Sequence, residues 1–199
     1  TRDRIDIFMV GEFDDYQVLQ ALHRFPLEGR QVDLQFSYSQ PYVNVVKEKI
    51  EPRQSSQSIL QLGYQFQCQY GDKDYFALIV FNAMFGEFAH SALFTTLREK
   101  EGLAYSISSQ FDIFTGLLEV YAGIEKSNRN QAMRGISREL NYIKLGRFSS
   151  SLLNQTKKII RMNALLSEDH ALTLVEQRFN KVIFGDKSLS LENWLDEIE

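Results

Sequence analysis

The sequence predicts an α+β fold, a mainly antiparallel sheet with helices packed on one face. Three observations carry that prediction. The run LQLGYQFQCQY alternates apolar and polar residues, with Leu60, Leu62, Tyr64, Phe66, Cys68 and Tyr70 on one side and Gln61, Gly63, Gln65, Gln67 and Gln69 on the other. That is the pattern of a half-buried antiparallel strand. Two more β-prone runs, AYSISSQFD and GLLEVYAGI, lie on either side of a connection short enough for a hairpin. From Ser127 onward, apolar residues recur at helical spacing in one segment after another.

The elements follow in chain order. IDIFMVG (5–11) is short, mostly apolar and ends in glycine, which predicts a buried strand. Tyr16, Leu19, Leu22 and Phe25 then fall at helical spacing, and Pro26 stops that helix. Residues 28–58 are polar and irregular, with Pro41 and Pro52, and read as a connector with one or two short extended pieces. After the alternating strand, Asp72 is a candidate N-cap and Gly86 a candidate stop for an almost wholly apolar helix. HSALFTTLREKEG is a second, shorter helix ending at Gly102. In the first hairpin strand, Tyr105, Ile107 and Phe111 share a face, and Ser106, Ser108 and Gln110 share the other. Leu118, Val120, Ala122 and Ile124 lie together on the second. Ser127 caps a helix striped by Ala132, Met133, Ile136, Leu140 and Ile143. The next aligns Leu152, Leu153, Thr156, Ile159 and Ile160. Asp169 opens a third, with Leu172, Val175, Phe179 and Val182, and SLENWLDEIE begins a fourth. The predicted organisation is a strand–helix tail of a preceding domain (1–27), a connector (28–58) and the main domain (59–199).

Composition excludes several classes. With 199 residues, 44% hydrophobic and 13% aromatic, the chain can fill a core. A net charge of -4 gives no reason to expect nucleic acid. Basic residues do gather at Lys126, Arg129, Arg134, Arg138, Lys144, Arg147, Lys157, Lys158 and Arg161, read as solvated helix faces or as a docking surface for an acidic partner. The lone cysteine, Cys68, cannot form an internal disulfide and fits a reducing, cytoplasmic compartment. No stretch is long and apolar enough to span a membrane, and the beginning shows no signal peptide. A start without Met, running at once into RIDIFMVG, is expected of a chain cut from something longer.

The three histidines, His23, His90 and His170, lack the spacing of a metal motif: there is neither HxxEH nor HExxH. Phosphate loops and the GxSxG elbow are also missing. No catalytic residue and no metal ligand is predicted. His90 or Cys68 as the centre of an independent enzyme is the weakest reading, and Cys68 reads as a small core residue.

LREKEGLAYS is more informative. A helix ending at Gly102 and a strand starting near Ala104 bring Arg98, in the last helical turn, toward Tyr105, at the strand's head. A guanidinium and a phenol there can clamp backbone carbonyls or a carboxylate. An arginine favoured by its helix C-terminus and a tyrosine packed in the core account for the same residues equally well.

The stretch from Asp74 to Ser109 resembles the C-terminal, non-zinc half of the pitrilysin (insulinase) family of metallopeptidases, which includes mitochondrial processing peptidase and the core subunits of the respiratory bc complex. The matching residues are Asp74-Tyr75, Gly86, Ser91-x-Leu93-Phe94 and Arg98-Glu99-Lys100-Glu101-Gly102-Leu103-Ala104-Tyr105. IDIFMVGEFDD is similar to the strand that closes the preceding domain of that family. The likeness implies a non-catalytic domain that helps enclose a peptide-binding chamber, with Arg98 and Tyr105 as substrate-binding residues. It implies no cofactor in this chain, and zinc in a homologous half or a partner subunit. It also allows a homodimer, or a scaffold role with no part in proteolysis. Glu87 stands where the family's second glycine is usual, a departure that argues against the close backbone approach there. A terminal strand is expected after SLENWLDEIE and is missing, so Ile5–Phe25 is expected to substitute for it, in cis or across a dimer.

Overall fold

The computed structural model describes residues 5–26, 38–55, 57–168 and 170–199. Its elements are α1 (Asp15–Leu22), β1 (Ser58–Gln65), α2 (Tyr75–Asn82), β2 (Ala104–Asp112), β3 (Leu117–Ile124), α3 (Arg129–Lys144), α4 (Ser150–Ser167), α5 (Ala171–Phe184) and α6 (Leu191–Ile198). A π-helical turn, Ala83–Glu87, continues α2, and a π-helix spans Phe94–Lys100.

The sheet is antiparallel and three-stranded, in the order β1-β3-β2. The β2–β3 hairpin is closed by Asp112, whose carboxylate accepts from Phe114 N at 2.9 Å and Thr115 Oγ1 at 2.8 Å. Gly116 completes the turn at φ +67°. β1 pairs with β3 without interruption from Ser58↔Ile124 to Gln65↔Leu117.

The sheet's inner face supplies Leu60, Ile107, Leu118, Val120, Ala122 and Ile124 to the core. The helical layer answers with Met84, Phe85, Leu93, Leu97, Ala132 and Ile136. Helices on one face of a mainly antiparallel sheet are what the sequence predicts, and the α3 stripe packs as expected. A smaller cluster of Ala83, Ile160 and Ile198 joins α2, α4 and α6.

Several local expectations are corrected. Residues 5–10 form no strand and lie outside the sheet, so the cis version of strand substitution by Ile5–Phe25 does not hold. Instead Phe8 meets Phe179 of α5 edge-on at 6.2 Å. The alternating strand ends at Gln65; Phe66 N still donates to Gly116 O at 2.9 Å, and at Cys68 the side chain of Gln40 takes over the backbone. Gln40 Oε1 accepts from Cys68 N at 3.1 Å, and its Nε2 donates to Ile113 O at 2.8 Å. Asp72 caps a turn rather than α2, accepting from Gln69 N at 2.7 Å, and Asp74 is the N-cap. Ser127 lies in a 3-10 turn before α3. The apolar stripe of α5 is largely exposed, Leu172 at 69%. Asp169 lies outside the described residues, as does the start of the connector, whose described part, 38–55, holds no helix or strand.

Candidate functional site

The LREKEGLAYS stretch forms a sharp return. Gly102 takes φ +62°, and Leu103 N reaches back to Leu97 O at 2.8 Å. The bond spans one residue more than a Schellman closure because it closes a π-helix, and glycine takes the left-handed conformation there at no steric cost. Leu97 is fully buried and anchors the π-helix to the core, so its neighbour Arg98 projects outward. The Arg98 guanidinium lies 4.5 Å over the Phe94 ring, held by cation–π attraction one turn back.

Tyr105 is moved by a defect in the strand. The β2–β3 register shifts between Ala104 and Ser106, a β-bulge with Tyr105 as the extra residue. Ala104 and Ile107 point into the core, while Tyr105 and Ser106 both face out. The predicted shared face of Tyr105 with Ile107 is therefore corrected: simple alternation cannot register a bulge. The Tyr105 hydroxyl donates to Glu125 Oε1 at 2.6 Å, and this bond raises its pKa, keeping the phenol neutral. Arg98 and Tyr105 thus sit on the helical and strand sides of one turn, each held by its own neighbour, and no hydrogen bond joins them.

The sheet face away from the helices is open and polar. Glu119, on the central strand, accepts from Gln61 Nε2 at 3.2 Å and Gln110 Nε2 at 3.1 Å. One row of hydrogen bonds therefore crosses all three strands. Ser106, Ser108 and half-exposed Tyr121 lie on the same face. The amide-rich side of β1 was visible in sequence. Its joining through Glu119 depends on register and was not.

The remaining candidates have packing roles. His90 Nε2 meets the buried Thr156 Oγ1 at 2.9 Å, and burial lowers the imidazole pKa, favouring the neutral ring. Cys68 is buried, and its thiol pKa is raised by burial and by Asp72 and Asp74, which disfavours the thiolate. Among the described residues no group of three or more His, Cys, Asp or Glu side chains could hold a metal ion.

Glu87 does not disturb the packing at Gly86. A Cβ on Gly86 would lie 2.6 Å from Ser109 Oγ and 2.8 Å from Ser109 N, so helix and strand touch there. Glu87 turns aside and accepts from the buried Asn82 Nδ2 at 2.9 Å.

A helix–turn–strand return, a core-packed three-stranded sheet and a tight glycine contact make a specific combination, and residues 1–160 match the family model described as the Peptidase M16 inactive domain. The chain belongs to that family. It is 36% identical over its full length to the "Probable inactive metalloprotease YmfF" of Bacillus subtilis, covering 46% of that protein. It is 24% identical over 203 residues to the "Uncharacterized zinc protease YmxG" of the same organism, covering 48%. The chain therefore spans about half the length of the curated relatives it matches. Among solved structures, a conserved protein from Enterococcus faecalis V583 aligns over 94% of this chain and 44% of its own, with a TM-score of 0.83 and 37% identity. The peptidase M16 inactive domain from Pseudomonas fluorescens aligns over 72% of this chain and 34% of its own, with a TM-score of 0.59 and 22% identity, a likeness of fold alone.

Proposed function

We propose that this inactive domain is the substrate-binding wall of a peptidase-like protein, lining a peptide chamber opposite a homologous half. In this reading an extended peptide lies along the open sheet face, with Arg98 and Tyr105 at one end of its path. The observation that carries it is the bulge, which puts Tyr105 on the polar side of the sheet next to the Gly102 turn. The chemistry suits an extended backbone. Arg98 offers five donors, and the Tyr105 oxygen still accepts while its proton is held by Glu125. Any zinc belongs to the homologous half or a partner subunit, and the compartment we infer is the cytoplasm.

The test is peptide binding by the full-length protein. Arg98→Ala should weaken binding of an extended peptide about tenfold. Tyr105→Phe should weaken it in the same direction, and neither should change the unfolding midpoint. Unchanged binding in both variants would refute the wall. A scaffold role is the second reading, favoured by the Tyr105–Glu125 bond, which occupies the phenol without any substrate. Partner association indifferent to both substitutions, with no peptide binding, would establish it.

A further inference from the structure

A cleft of about 670 Å³ opens in the helical layer, walled by α2, α4, α5 and α6. None of its lining residues lies on the sheet or in the 94–105 stretch, so it is separate from the wall proposed above. Its volume is that of a small-molecule site. Tyr75, Phe88 and Trp194 supply aromatic walls. They belong to a braced framework: Tyr70 stacks on Phe184 at 3.9 Å and meets Tyr75 at 5.0 Å, while Phe76 meets Trp194 at 5.9 Å.

The cleft also carries charge of both signs. Glu87 lies on one wall, and Arg178 and Lys181 lie on α5. The two cations are three residues apart and share a helix face. None of the three joins an ion pair among the described residues. Glu87 is also held from behind. Asn82, 3% exposed, donates to Glu87 Oε2 at 2.9 Å, and Asn82 Oδ1 accepts from Ser109 Oγ at 2.8 Å. That chain of bonds runs back to the sheet, and Glu87 Oε1 is not used by it. The surrounding protein raises the Glu87 pKa by desolvation, although the residue stays exposed to solvent.

We propose that this cleft binds a short zwitterionic peptide with an aromatic or large aliphatic side chain, Glu87 taking the ammonium, Arg178 and Lys181 the carboxylate, and the aromatic walls the side chain. Other ligand classes fit less well. A neutral apolar molecule would desolvate three charges for no return. A simple anion would meet Glu87, and a simple cation would meet Arg178 and Lys181. A zwitterion satisfies both signs at once, and charge-assisted hydrogen bonds at each end set its direction.

The test titrates the full-length protein with the dipeptide Phe-Phe by calorimetry, with Trp194, the one tryptophan of this chain, as a fluorescent reporter. The comparison peptides are N-acetyl-Phe-Phe, which lacks the ammonium, and Phe-Phe-amide, which lacks the carboxylate. The expected result is saturable binding of Phe-Phe and at least about tenfold weaker binding of each blocked peptide. Glu87→Gln should weaken Phe-Phe but leave N-acetyl-Phe-Phe unchanged. Arg178→Gln with Lys181→Gln should weaken Phe-Phe but leave Phe-Phe-amide unchanged. No saturable binding at about 1 mM would overturn the proposal. So would blocked peptides that bind as tightly as Phe-Phe, a comparison that needs only the unsubstituted protein. Loss of extended-peptide binding in Arg98→Ala with Phe-Phe binding intact would separate this cleft from the sheet face.

Discussion

A single methyl group at Gly86 tests how the helical layer meets the sheet. Helix propensity alone predicts that Gly86→Ala stabilises the chain by up to about 1 kcal/mol. The structure predicts the reverse. The new Cβ would lie 2.6 Å from Ser109 Oγ, 2.8 Å from Ser109 Cβ and 2.8 Å from Ser109 N. One of those atoms is backbone of β2 at a position paired with Val120 of β3, so it cannot swing away. Overpacking of this kind costs about 1–3 kcal/mol. Displacing Ser109 also loosens its 2.8 Å bond to Asn82, worth about 1 kcal/mol. After the propensity gain, the net expectation is a loss of about 2 kcal/mol. For a chain of this size that lowers the melting temperature by about 4–8 °C. Urea denaturation of the variant, analysed at constant m, reads the same quantity. Adding Ser109→Ala removes the oxygen but not the Cβ or N contacts, so the double variant should recover only part of the loss. A Gly86→Ala protein as stable as the parent, or more so, would refute the close approach.

Other predictions follow from single contacts. Desolvation raises the Glu87 pKa in the folded state, so the native protein holds this proton to higher pH than the unfolded chain. Stability from this group therefore falls as pH rises from the ordinary carboxylate range through the raised value. Glu87→Gln should flatten that part of a thermal-melt series against pH, and an unchanged slope would count against it. Thr156→Val leaves the His90 imidazole without its 2.9 Å partner and should cost about 1–2 kcal/mol in urea. Cys68 should react slowly with a disulfide reagent at neutral pH, because its thiol is buried and its pKa raised. Gln40→Ala should speed that reaction, since Gln40 ties residues 38–40 over the Cys68 backbone. Equal rates in the two proteins would remove Gln40 as the clasp.

Much of the site was readable before folding because its signals are local. Gly102 marks a helix end, and the residues around it fix Arg98 to the helix and Tyr105 to the strand. The outward turn of Tyr105 was not readable. A bulge changes which face a residue takes by adding one position against the partner strand, and only the register with β3 records it. The oppositely charged walls of the helical cleft were equally silent, because Glu87 and Arg178 lie far apart in the chain and come to line one cleft only through helix packing.

The sequence by itself determined the α+β class, the β2–β3 hairpin, the buried stripe of α3 and the family. Each rests on a repeat of two or 3.6 residues, or on a compact motif, and such patterns survive without knowledge of neighbours. Tertiary structure decided which apolar runs find a partner. Ile5–Val10 has strand composition yet forms no strand, and α5 has a core-like stripe yet buries no residue. Composition states what a segment can bury, and only the arrangement of other elements supplies a surface against which to bury it.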